Sequence, residues 1–122
     1  MYELKVITRF AAAHQLQMVA KQCENLHGHN WKIEVCVTGK ELNHAGVLVD
    51  FGELKTHLAG VIDQLDHKFL NELEVLEGCP PSSENVARHI AHALDARLDI
   101  PGVRVSTVTA WESDDACATY RM

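Results

Sequence analysis

The sequence predicts an α+β domain: a four-stranded antiparallel sheet, in the order ββααββ, covered on one face by two helices. Three observations predict it. Apolar side chains alternate with period two at both ends of the chain, recur at helical spacing in the middle, and are separated by turn-forming residues. At 122 residues the chain reads as one domain over 1–122, with room for one core and not two.

The first strand runs from Tyr2 to Phe10, with Leu4, Val6 and Phe10 set against Glu3, Lys5 and Arg9. Trp31 to Gly39 alternates more cleanly, placing Trp31, Ile33, Val35 and Val37 on one side. Asn43 to Gly46 is a turn region. Asp50 has the chemistry of a helix N-cap, with Glu53 at the capping-box position. Leu54, Leu58, Val61, Ile62 and Leu65 then form one buried stripe. From Asp66 to Ser83 the pattern is irregular, and Gly78-Cys79-Pro80-Pro81 cannot continue a helix. Ser82 or Ser83 caps a second helix whose stripe is Val86, Ile90, Leu94 and Leu98. Val103 to Trp111 and Ala116 to Arg121 close the chain as a hairpin turning at Ser113-Asp114-Asp115. Four strands leave two open edges, which are expected to pair between subunits.

Charge narrows the partners. A formal net charge of −6 speaks against a nucleic-acid backbone, which is bound by basic patches that release counterions. No apolar run approaches the roughly 20 residues that cross a bilayer, and Met1 to Lys5 has no signal-peptide core. The cytoplasm is the expected compartment. Cys23, Cys36, Cys79 and Cys117 contain no C-x-x-C pair, which in a reducing compartment means free thiols. Cys36, Cys79 and Cys117 are read as small buried hydrophobes.

The chemistry gathers around Cys23-Glu24-Asn25-Leu26-His27-Gly28-His29, with His14 upstream. Side chains two apart on a strand project to one side, so His27 and His29 can address one point. A chance surface pair is the competing reading of H-x-H. A third imidazole from His14, at the end of the neighbouring strand, turns the pair into a catalytic zinc site with one coordination position open. Cys23 is either a buried hydrophobe or a thiolate base near a cation. Asp66-His67 is either a solvated pair or a proton-transfer couple, the carboxylate fixing the imidazole tautomer. Glu112 is either a solvated hairpin acid or an acceptor of two hydrogen bonds from an amidine-like edge. His44, His57, His89 and His92 are read as surface residues.

Taken together, Phe10-Ala11-Ala12-Ala13-His14, Cys23…His27-Gly28-His29, Val49-Asp50-Phe51-Gly52-Glu53-Leu54-Lys55, Leu65-Asp66-His67-Lys68-Phe69-Leu70-Asn71, Pro81-Ser82-Ser83-Glu84-Asn85 and Glu112 resemble the 6-pyruvoyl- and 6-carboxy-tetrahydropterin synthase family. The match spans essentially the whole chain. It implies the tunnelling fold, in which subunits close their sheets into a β-barrel as a homo-oligomer, commonly a hexamer of two stacked trimers. Active sites then lie at subunit interfaces. The resemblance also implies Zn2+ on His14, His27 and His29, Cys23 as proton acceptor, and Asp66 with His67 as its proton-transfer partner. Glu112 becomes the pterin anchor, assisted by Ser82 or Ser83.

The gap of three residues between Cys23 and His27 resembles the bacterial 6-carboxy-tetrahydropterin synthases of the queuosine pathway. Those enzymes convert 7,8-dihydroneopterin triphosphate to 6-carboxy-5,6,7,8-tetrahydropterin, releasing acetaldehyde and triphosphate. Glu24, directly after Cys23, resembles the glutamate with which relatives lacking the cysteine form 6-hydroxymethyl-dihydropterin for folate synthesis. Glu24 is thus a second catalytic base or an exposed loop acid. A 6-pyruvoyl-tetrahydropterin synthase, and outside enzymes a pterin- and zinc-binding module, complete the alternatives.

Overall fold

Thirteen-residue strands at the start of the chain organise the molecule: β1 (Tyr2–His14) and β2 (His27–Gly39) pair antiparallel along their whole length. A computed structural model describes residues 1–16, 26–76 and 78–122. Helix α1 (Phe51–Ile62), strand β3 (Lys68–Phe69), helix α2 (Ser83–Arg97) and the hairpin β4 (Arg104–Ser113) and β5 (Ala116–Arg121) follow. Two short 3-10 turns, Leu70–Glu72 and Glu74–Leu76, bridge β3 and α2.

The sheet has five strands in the order β3-β1-β2-β4-β5, one more than the sequence pattern predicts. The extra strand is two residues long and pairs parallel to β1, Ala12 with Lys68 and Ala13 with Phe69. Two residues carry no periodicity, which is why alternation cannot reveal it. The order of β1, β2, the two helices and the final hairpin is as the pattern predicts, and the fold is α+β. Strands β1 and β2 also run four residues further toward the site than alternation indicates. Ala11 to Ala13 are poor strand formers, and pairing with neighbours on both sides holds them extended.

One face of the sheet carries the core. Val6, Phe10, Trp31, Ile33, Val35, Val37, Val105, Val108 and Ala110 meet Leu54, Leu58 and Val61 of α1 and Val86, Ile90 and Leu94 of α2. A bulge between Cys36 and Val37 of β2 and the facing β4 leaves Ser106 unmatched, its hydroxyl donating to the Cys36 carbonyl at 3.1 Å. With one residue extra, Val105 and Val108 both face inward. Helix α2 lies over β4 and β5 and packs against α1.

Both helices start as the sequence requires. The Asp50 carboxylate accepts the Glu53 N–H at 3.2 Å, and the Ser82 hydroxyl oxygen accepts that of Asn85 at 3.2 Å. Glu53 turns its own carboxylate to His57, 3.9 Å away. The hairpin turn is tighter than expected, at Asp114 and Asp115, because Ser113 still pairs with Ala116. Among the described residues Cys36, Cys79 and Cys117 are free, and their settings differ from the uniform burial expected: Cys36 is buried, Cys79 half-buried and Cys117 exposed. Among the histidines read as surface residues, His89 is half-buried, and the His92 ring bonds the Tyr120 hydroxyl at 3.0 Å. No helix among the described residues is long and apolar enough to cross a membrane.

Candidate metal centre

Strand register assembles the site. His14 and His27 are direct cross-strand partners, and His29 faces Ala12, one diagonal step away. All three share the parity of Trp31 and therefore point to the core face. Their ligand atoms lie within 4.8 Å of one another, and the Nε2 atoms of His14 and His27 are 3.1 Å apart. For comparison, two nitrogens on a tetrahedral zinc with Zn–N of about 2.0–2.1 Å stand about 3.3 Å apart.

A carbonyl fixes how His14 is protonated. Its Nδ1 lies 2.7 Å from the oxygen of Pro81, which can only accept, so Nδ1 carries the proton and Nε2 presents a lone pair to His27. His14 is fully buried. Beneath the triad lies Trp31, also fully buried, meeting His14 edge-on at 5.2 Å and His29 at 5.7 Å between ring centroids. Trp31 stacks in turn on Phe10 and donates its indole N–H to the Ala12 carbonyl at 3.4 Å. Sequence reading places Trp31 in the core and misses it as the floor of the site, although its parity with His27 and His29 is the signal. Three imidazoles on a rigid apolar floor, one with its tautomer set by a backbone oxygen, fit a divalent cation that prefers nitrogen ligands.

Glu112, on the core-facing side of β4, brings its Oε1 to 3.6 Å from His14 Nε2. It therefore stands beside the imidazoles of the triad.

Asp66 and His67 sit on the other edge of β1. His67 has φ 59°, a left-handed conformation uncommon outside glycine. That turn lets neighbours in sequence pair: His67 Nδ1 is 2.9 Å from Asp66 Oδ1, and Asp66 Oδ1 also accepts the Ala11 N–H at 3.0 Å. The Ala11 bond is the first cause holding the Asp66 carboxyl below its ordinary range, with the His67 charge adding to it. Asp66 is thus a fixed carboxylate, and the His67 side chain, 81% exposed, is free to meet a ligand. An open cleft of about 470 Å3, lined by Ala11, Ala13, Gly28, His29, Asn30, His67 and Phe69 among others, connects the His29 strand to this pair. A side chain at Gly28 would meet open space, so glycine there keeps the cleft clear and relieves no clash.

Ser82 caps α2 and Ser83 is buried in its first turn, next to the Pro81 carbonyl that holds His14. Cys23 and Glu24 lie outside the described residues.

An α+β sheet of this topology carrying three convergent histidines defines a T-fold protein whose triad could hold a metal ion. The family model for 6-pyruvoyl tetrahydropterin synthase matches residues 3–122. The chain belongs to that family. A putative 6-carboxy-5,6,7,8-tetrahydropterin synthase of Archaeoglobus fulgidus is 35% identical over 117 residues, covering 95% of this chain and 92% of that protein. A dihydroneopterin monophosphate aldolase of Pyrococcus furiosus is 34% identical over 107 residues, covering 87% and 85%. The 6-pyruvoyl tetrahydropterin synthase of Caenorhabditis elegans superposes with a TM-score of 0.86 at 25% identity, covering 99% of this chain and 95% of that one.

Proposed function

We propose that the protein is a zinc-dependent 6-carboxy-5,6,7,8-tetrahydropterin synthase. The reaction consumes 7,8-dihydroneopterin triphosphate and one water and releases acetaldehyde and triphosphate. The observation that carries the reading is the triad, with the His14 lone pair aimed by Pro81 at the point His27 and His29 share. Likeness to the Archaeoglobus fulgidus protein supports the product assignment.

His14, His27 and His29 would hold Zn2+, which supplies Lewis acidity toward the substrate's side-chain hydroxyls when bound. The protein's own residues handle the protons. Cys23 takes the proton from the side-chain carbon. His67, oriented by Asp66, returns one, and Glu112 anchors the pterin by accepting hydrogen bonds from its amidine-like edge. Ser82 or Ser83 contacts the ring from the start of α2. Proton transfer of this kind is worth about 10²–10⁴-fold, so positioning and charge stabilisation supply the rest. The open sheet edges support closure of the barrel by further copies, with a hexamer as the expected assembly and the cytoplasm as its place of work.

A second reading has its own support: Glu24 beside Cys23, and the aldolase among the relatives. In it Glu24 acts as base on dihydroneopterin, whose side chain is cleaved to give 6-hydroxymethyl-dihydropterin and glycolaldehyde. Product analysis separates the two. Wild type given dihydroneopterin triphosphate should yield the 6-carboxy product, and Cys23→Ala should not, while Glu24→Ala keeps the activity. If wild type given dihydroneopterin forms the 6-hydroxymethyl product instead, and that product vanishes in Glu24→Ala, the second reading takes its place.

A further inference from the structure

We propose that Asn71 is a positioning residue that fixes the end of β1, and with it both the ligand His14 and the point from which the chain continues to Cys23. This inference rests on the reading of His14 as a metal ligand and Cys23 as the base. After Phe69 the main chain turns into the 3-10 turn Leu70–Glu72 and β3 can no longer pair with β1. The Asn71 side chain takes over. Its Oδ1 accepts the Gln15 N–H at 2.9 Å, and its Nδ2 donates to the Gln15 carbonyl at 2.8 Å.

A carboxamide sets an N–H donor beside a carbonyl acceptor, as a peptide unit does, so Asn71 continues the ladder past the end of its own backbone. Leu70, fully buried beside it, anchors the turn that presents the amide. Asn71 itself is exposed, so its contribution is the two bonds to Gln15 and not apolar burial. The same short segment also holds β1 on the other side of His14. There the His67 N–H donates to the Ala11 carbonyl at 2.6 Å and the Asp66 carboxylate accepts the Ala11 N–H. His14 is therefore clamped from Ala11 to Ala13 before it and at Gln15 after it. One run of residues, 66–71, ties the proton-transfer pair to the ligand strand.

The test compares Asn71→Ala and Asn71→Asp with wild type as whole, metal-loaded protein. Asn71→Asp keeps the acceptor for the Gln15 N–H but sets a carboxylate oxygen against the Gln15 carbonyl, so it should be no better than alanine. Three readouts are taken: kcat and KM, the visible spectrum of the cobalt-substituted protein, and the rate of Cys23 alkylation by iodoacetamide with exposed Cys117 as internal standard. Both variants should lose about 100-fold in kcat, as expected when a reacting group is misplaced by an ångström, with KM little changed. The cobalt spectrum or the Cys23 alkylation rate should shift alongside. If melting temperature drops while all three readouts match wild type, Asn71 is merely structural and the proposal is overturned. If wild type itself does not turn over the pterin, the proposed reaction fails, and the spectrum and alkylation rate still decide the role of Asn71.

Discussion

The two ends of one sheet face show how little separates a core from a site. Toward one end, Val6, Val35, Val37 and Val105 alternate inward and are buried under the helices. Toward the other, the same strands with the same parity present His14, His27, His29 and, from β4, Glu112. Backbone geometry is common to both. What differs is that the apolar end gains from excluding water, whereas the polar end converges nitrogen and oxygen atoms that can hold a cation or a ligand between them. Trp31 is the boundary, packed with the core on one side and against two imidazoles on the other.

Paired substitutions on β2 should break this division in opposite ways. Replacing His29 with leucine extends the apolar end into the site, so turnover and metal binding should be lost while the metal-free protein melts at or above the wild-type temperature. Ile33→Ala, four residues further into the core on the same face, should instead cost about 2–5 kcal/mol of stability in urea melts and leave the metal content of the folded protein intact. An Ile33→Ala protein that folds well and loses its metal would erase the distinction.

A smaller effect separates the histidines of the site from those of α2. Burial, and secondarily the His92 charge, hold the half-buried His89 imidazole below its ordinary range. The unfolded chain therefore takes up a proton near pH 6.5 while the folded one resists it, and stability falls as pH drops below about 6.5. Its cost is absent above that range and grows toward the lower folded value. Urea melts of the metal-free protein should show a shallower acid slope for His89→Gln than for wild type. Equal slopes would assign the acid sensitivity to other groups.

Sequence alone carried the triad, because His27 and His29 are two apart on a strand and His14 ends the neighbouring one. It carried both helix caps, since Asp50 and Ser82 are local signals. It could not carry β3, which has too few residues for a period. Nor could it carry the contacts that make the triad work. The bond from His14 to the Pro81 carbonyl, the approach of Glu112 and the clamp of Asn71 on Gln15 each join residues far apart in the chain, and only tertiary register brings them together. Asp66 and His67 stand between these cases: their adjacency was visible, and the left-handed turn that lets them pair was not.

Metal content measured by mass spectrometry is the most direct test of the account. Protein purified without chelators, given zinc and then dialysed, should hold about one zinc per chain, as one three-histidine site requires. His27→Ala treated in parallel should hold none. Wild type that retains no metal, or a variant that retains as much, would contradict the claim that these imidazoles form the centre where the pterin reacts.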